Sequence, residues 1–272
     1  MPSTRFLFWN INGKPLASLV GRIAHSRAID VVILAEAKMR AADLLRTLNE
    51  QGSGNFRYCA GLSEAISVFV RFSSSFLHPR FDSDRVSIQH LALPARSPVL
   101  LVMAHLPSKL WWSNDSQTFE CTELARLILA EEDKVGHRRT VLVGDLNMNP
   151  FEAGMVAAAG LHAVPTRRLA AREVRTVQGR EYPMFYNPMW SHFGDRHRDT
   201  AGSYFYSSSE HISYFWHIFD QVLLRPELAR QFGPGTLEIV SSVGDCPLVH
   251  ADGRPDSSSY SVHLPVVFDL EF

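Results

Sequence analysis

Apolar and polar positions recur along this chain in ways that mark out both kinds of secondary structure. Arg5 to Ile11 alternates as a strand does. Leu16, Leu19, Val20 and Ile23 share one face of a helix predicted over Leu16 to Ala28. Val31-Val32-Ile33-Leu34 is continuously apolar, as a strand is when both its faces are covered. Ala41 to Glu50 has helical spacing, and Ala65 to Phe72, Val86 to Leu93 and Val99 to Ala104 follow as β runs separated by Ser, Pro and charged residues. The clearest helix spans about Ser116 to Lys134, with Cys121, Leu124 and Ile128 on one face and acids near its start, where the helix dipole favours them. Thr140 to Val143 predicts a buried strand that ends in Gly144-Asp145, and Phe219 to Leu224, Thr236 to Val240 and Leu264 to Leu270 predict three more. Many strands with intermittent helices, several joined by connections too short for a crossover helix, predict an α+β sandwich of mixed sheets. We expect one domain over residues 1–272.

Pro165 to Ser213 breaks the pattern and is expected to be a long irregular insertion. Its aromatics (Tyr182, Phe185, Tyr186, Trp190, Phe193) would not be left in water, which argues against a linker. Thr166 to Thr200 carries seven Arg against four acids. Two readings stay open. One is a solvated charged loop packed by a few aromatics. The other is a substrate-gripping arm, with Arg167, Arg168, Arg172 and Arg175 on phosphates and aromatics stacked on bases.

Composition narrows the class. At 46% hydrophobic and 20% charged, the chain has material for a core and is not disordered, collagen-like or coiled-coil. Its formal net charge of -1 provides no global field toward nucleic acid or anionic membrane, so any nucleic-acid site must be local. Four of the 27 basic residues are Lys, which leaves Arg, the better bidentate phosphate partner, in the majority. Cys59, Cys121 and Cys246 are odd in number and form no close-spaced pair, which argues against a disulfide framework or a Cys-rich zinc site. With no apolar run long enough to span a bilayer, we expect a soluble, cytoplasmic protein without a membrane partner.

Chemistry is sought where apolar strands end in polar residues, because a strand's rim delivers side chains into a shared cleft. Five rims stand out: Trp9-Asn10-Ile11-Asn12-Gly13, Leu34-Ala35-Glu36, Met103-Ala104-His105-Leu106, Gly144-Asp145-Leu146-Asn147 and Ser261-Val262-His263-Leu264-Pro265. Asp145 and Asn147, two apart on a strand end, project to the same side. In order along the chain, FWNING (8–13), ILAEAK (33–38), AHLPS (104–108), VGDLNMNP (143–150), FDQVLL (219–224) and SVHLPV (261–266) carry a resemblance to the endonuclease/exonuclease/phosphatase superfamily. DNase I, the abasic-site endonucleases and the inositol-polyphosphate phosphatases form this group. Each piece is short; six in order across nearly the whole chain are specific together.

The resemblance implies a four-layer αββα sandwich, two packed mixed sheets flanked by helices, with the site at one edge. It also implies metal-assisted hydrolysis of a phosphoester. Mg²⁺, with Mn²⁺ as an alternative ion, suits one or two carboxylates plus water and phosphate oxygens. By match, Glu36 and Asn10 form the metal site, Glu36 as the ligand and Asn10 beside it orienting phosphate or metal-bound water, with Asn12 on the substrate. Asp145 and Asn147 position the attacking water and hold the phosphate. His263 is general base or charged stabiliser, oriented by Asp220. His105 matches the second histidine of the DNase I branch, with Glu64 as its partner in a general-acid pair. One departure matters: the family carries Ser-Asp-His where this chain has Ser261-Val262-His263, and valine cannot coordinate a cation. The leading expectation is a Mg²⁺-dependent nuclease with a nucleic-acid substrate, working alone or brought there by a protein partner. The alternatives are a phosphomonoesterase on an inositol phosphate, nucleotide or lipid head group, and a weakly active or inactive nucleic-acid-binding member.

Overall fold

The computed structural model describes residues 3–50, 55–61, 63, 65–110, 112–195, 200–209, 211–233 and 235–272. One mixed sheet holds β1 (Thr4–Asn10), β2 (Val31–Ala35), β3 (Arg57–Cys59), β4 (Ile66–Val70), β16 (Leu237–Ile239) and β19 (Val266–Leu270), in the order β16-β19-β1-β2-β4-β3. The other holds β5 (Leu77–Asp82), β6 (Val86–Leu91), β7 (Val99–His105), β8 (Thr140–Asp145), β9 (Ala163–Val164), β12 (Phe185–Tyr186) and β15 (Asp220–Leu224), in the order β5-β6-β7-β8-β15-β12-β9. Three hairpins stand outside them: β10 (Val174–Val177) with β11 (Arg180–Pro183), β13 (Tyr204–Phe205) with β14 (Trp216–His217), and β17 (Ser242–Val243) with β18 (Cys246–Pro247).

The period-two alternation of strands explains the layers. Phe6 and Phe8 of β1 and Val31 and Ile33 of β2 point inward to meet Leu101 and Met103 of β7 and Val141 and Val143 of β8. Their neighbours Leu7, Trp9, Val32 and Leu34 point outward under α1 (Ala17–Ser26) and α2 (Ala41–Glu50), through Leu19, Val20, Ile23, Leu44 and Leu48. On the far side, α3 (Asn114–Val135) lays Cys121, Leu124 and Ile128 on Ile88, Leu100, Val102 and Leu142. The result is helix, sheet, sheet, helix, as expected. Ser113 caps the start of α3 by accepting from Ser116 N, and Gly136, with φ 74°, ends it in the left-handed conformation.

Two expectations change. β5 is not among the expected strands: LHPRFD alternates, but it carries Pro79, which has no N–H to give a ladder, and its register is irregular between Pro79 and Phe81. The 165–213 stretch is more ordered than predicted. β9 and β12 extend the second sheet, α5 (Arg167–Ala170) follows β9, and the β10/β11 hairpin projects from there. Two-residue strands are too short to leave a periodic signal. Among the described residues no helix is long and apolar enough to cross a membrane.

Candidate active site

Strand register does most of the assembly. β1 and β2 run parallel and end together at Asn10 and Ala35, and β7 and β8 run parallel and end together at His105 and Asp145. β15 runs antiparallel to β8 and begins there, with Asp220 opposite Asp145. All of these ends lie at one rim of the sandwich. Close approach is built in at β8: a Cβ on Gly144 would stand 1.8 Å from Ala104 O, so only glycine lets β7 and β8 pair here.

The two sheets meet through Asn10, which is fully buried. Its Nδ2 donates to Glu36 Oε1 at 3.1 Å and Asp145 Oδ2 at 2.9 Å, while its Oδ1 accepts Asn12 N at 2.9 Å. That last bond fixes the amide's orientation. The group turned toward the carboxylates is an NH₂, a donor without a free lone pair, so Asn10 is placed to orient neighbouring groups rather than to coordinate a cation through that end. Asp145 Oδ1 accepts Asn147 N at 3.0 Å, and Asn147 Nδ2 donates to Leu106 O at 2.9 Å. Asn12, Glu36 and Asn147 have φ of 48°, 52° and 50°. Asparagine tolerates this region, but for Glu36 it costs about 1 kcal/mol or more, held by Glu36 N donating to Ala65 O and Gly13 N to Glu36 O.

His263 lies just before β19, its ring centroid 4.7 Å from that of Tyr204 with the planes tilted at 49°. Its Nδ1 faces Asp220 at 2.9 Å, and its Nε2 lies 3.7 Å from Asp145 Oδ2. Its backbone is pinned by two bonds, Trp9 Nε1 donating to His263 O and His263 N donating to Ser261 Oγ, and Ser261 Oγ in turn donates to Asn10 O. Burial favours the neutral ring, but the Asp220, Asp145 and Glu36 carboxylates outweigh it and raise the His263 pKa to about 9. Burial likewise pushes the Asp220 carboxyl up, against the pull of His263, so the pair shares its proton. Asp145, Asp220 and His263 together offer ligand atoms within 4.8 Å of one another.

His105 Nε2 stands 3.4 Å from Glu36 Oε1 and 3.8 Å from Asp145 Oδ2, so it joins the cluster. Its expected partner Glu64 lies outside the described residues. Val262 lines a cavity of about 200 Å³ with Phe205, His250, Arg254, Pro255 and Ser257. Asn12 sits exposed at the rim.

The four arginines go elsewhere. Tyr186 of β12 pairs with Leu224, the end of β15 remote from Asp220, and α5 packs beside it. That end lies about 13 Å along the strand from Asp220. Arg167 donates to Phe232 O there at 2.7 Å, and Arg168, Arg172 and Arg175 are exposed around it. The insertion therefore does not bring them to the site, although it immediately precedes the Asp220 strand in sequence. What it brings is Ser203 and Tyr204, neither of which the sequence singled out. Ser203 Oγ accepts Asp220 N and Ser203 O accepts Leu264 N, so one serine ties the carboxylate's strand to the histidine's. Asn149 and His217 were equally hidden. Asn149 Oδ1 accepts Ile218 N, and His217, kept neutral by burial at a pKa of about 4, has its Nδ1 3.0 Å from Asn149 Nδ2.

A family model described as Endonuclease/Exonuclease/phosphatase family matches residues 7–241. The chain belongs to this family. Members of the endonuclease/exonuclease/phosphatase family are phosphoesterase hydrolases. No curated protein matches the sequence. Among solved structures, truncated Caenorhabditis elegans TDP2 superposes with a TM-score of 0.59 at 12% identity, covering 99% of this chain and 98% of that one. D. rerio TDP2 complexed with single strand DNA product gives 0.53 at 16% identity, covering 100% of both chains. The human Nocturnin catalytic domain with bound sulfate anion gives 0.54 at 12%, covering 100% of this chain and 95% of that one. At such identities the likeness is one of fold, and it agrees with the two packed mixed sheets.

Proposed function

We propose that the protein is a divalent-metal-dependent phosphodiesterase that cleaves nucleic acid. The observation that carries this reading is the convergence of Asn10, His105 and His263 on the single oxygen Asp145 Oδ2, with Asn10 and His105 also meeting Glu36 Oε1. The donor set fits a divalent cation: two carboxylates from different sheets face each other, and a fixed amide holds them in place. Glu36 and Asp145 would supply its oxygen ligands, and Asn10 would orient them. A cation bound there would neutralise charge on a phosphate oxygen and polarise phosphorus toward attack.

The remaining roles follow from the chain's own groups. His263, set among the Asp220, Asp145 and Glu36 carboxylates, is placed to hold a proton, so its Nε2 can act as a donor and positive charge facing the phosphate or, once that proton is given up, as a base. Asp220 keeps that proton in place and fixes the ring. Asp145, held by Asn10 and by Asn147 N, would both face the cation and orient a water beside it. Asn147 holds the loop through Leu106 O. Support for a nucleic-acid substrate comes from D. rerio TDP2, whose structure contains a single-stranded DNA product. The half-buried ring of Tyr204 against His263 offers a surface on which a base can stack.

The test is a cleavage panel of single- and double-stranded DNA and RNA with Mg²⁺, Mn²⁺ or EDTA. Metal-dependent cutting that Glu36→Gln abolishes supports the proposal. No cutting by either the wild type or Val262→Asp rejects it. Phosphate release from small phosphomonoesters without strand cleavage would instead favour the monoesterase.

A further inference from the structure

We infer that Arg168, Arg172, Arg175 and Arg180 form a second surface, away from the active-site rim, that holds the phosphate backbone of a long nucleic acid. This rests on the reading that the substrate is nucleic acid. Positive charge is concentrated here: residues 166–182 hold five Arg against two Glu, in a chain whose formal net charge is -1. The four named arginines are exposed and form no ion pair among the described residues. The acids around them are placed elsewhere. Glu173 is held by Arg230 at 2.9 Å, Glu227 is held by Arg139 at 3.1 Å, and Glu181 stands on the reverse face of the β10/β11 hairpin.

Strand register aligns the charges. Arg175 lies opposite Tyr182 and Val177 opposite Arg180, so these four share one face of the hairpin, while Thr176 and Glu181 take the other. Arg175 and Arg180 are then diagonal neighbours about 7–8 Å apart, far enough to reach two phosphates rather than one. Arg168 and Arg172, four apart at α5, lie one above the other on one side of it. Arg138 and Arg230 join them at the foot of the hairpin, where with Glu173 and Pro183 they line a cavity of about 360 Å³. Arginine suits phosphate because its planar fork donates two parallel N–H bonds and keeps its charge. The hairpin tip, Gln178-Gly179, is polar and has nothing to insert into a bilayer, which favours nucleic acid over a membrane. A substrate held at the rim would itself supply the phosphates. The far end of β15 lies about 13 Å from Asp220, roughly four steps of duplex, so a nucleic acid bound at both places must be longer than that.

Binding in EDTA tests this apart from turnover. Labelled DNA two helical turns long, as duplex and as single strand, is titrated by fluorescence anisotropy across a salt series. Changing Arg168, Arg172, Arg175 and Arg180 together to Ala should weaken binding by about 10-fold or more. The slope of log affinity against log salt should flatten by about 3–4 for duplex and about 3 for single strand. The same four changed to Lys should keep most of the slope, since Lys preserves the charge. With metal, the Ala variant should raise KM for long DNA while leaving kcat, and turnover of the small diester bis(4-nitrophenyl) phosphate, unchanged. Unchanged affinity and slope for both forms of DNA in the folded Ala variant, or an equal loss against the small diester, overturns the assignment. So does binding of anionic vesicles or a polyglutamate peptide that depends on the four arginines where DNA binding does not. A wild type that binds DNA through these arginines yet cuts none leaves the surface standing and sinks the phosphodiesterase reading.

Discussion

Replacing Asp220 by Asn tests how the fold keeps a proton on a fully buried ring. His263 would ordinarily titrate near 6.5, and its burial alone would lower that value. Instead it is raised to about 9, with Asp220 the strongest of the groups that raise it. The difference corresponds to about 3 kcal/mol of preference for the charged ring. Asp220→Asn keeps the shape and one acceptor but removes the charge at 2.9 Å, leaving Asp145 at 3.7 Å and Glu36 to oppose burial. In metal-free protein, the His263 imidazole resonances should then titrate in the ordinary histidine range or below. The sign for stability follows: a raised histidine pKa contributes fully below pH 6.5, and the contribution is lost as pH rises through about 9. Unfolding free energies from urea denaturation should therefore fall across that window in the wild type, by up to about 3 kcal/mol, and stay nearly flat in Asp220→Asn. Turnover should drop by about 10²–10⁴-fold. A His263 that still titrates near 9 in the variant would refute the reasoning, because Asp145 and Glu36 would then be holding the proton.

Other consequences are as direct. Gly144→Ala places a methyl 1.8 Å from Ala104 O, so β7 and β8 must separate; we expect a loss of about 3 kcal/mol or more in urea denaturation, or no soluble protein. Arg225→Met leaves Glu132, whose side chain is 0% exposed, without its ion pair at 2.8 Å. It should cost about 3–5 kcal/mol, and adding Glu132→Leu should recover much of that. Burial lowers the His137 pKa to about 4. The unfolded chain therefore takes up a proton before the native protein does, so stability should fall as pH drops from 6.5 toward 4, and His137→Gln should flatten that part of the profile in thermal melts.

Periodicity alone located α1, α2, α3 and the long strands to within a few residues, because each buries a face and a buried face must be apolar at every second position or every third to fourth. The rim residues were legible for a related reason. Asn10, Glu36, His105 and Asp145 are polar residues placed where an apolar strand stops, and their short motifs recur in a fixed order. What no local pattern carried was direction and distance. Asn10 was identifiable, but which end of its amide faces the carboxylates depends on Asn12 N, and that bond exists only once the turn has closed. Four arginines 45 to 53 residues before Asp220 are kept from it because β12 pairs with the far end of β15. Ser203, by contrast, stands 17 residues before Asp220 in an aperiodic stretch and still caps its strand. Which residues become strand, which become helix and which are available for chemistry is written in composition and spacing, since those are local free energies. The cluster's charge, its orientation and its membership depend on contacts between residues as far apart as Trp9 and His263, and only the packed sandwich brings such pairs within reach.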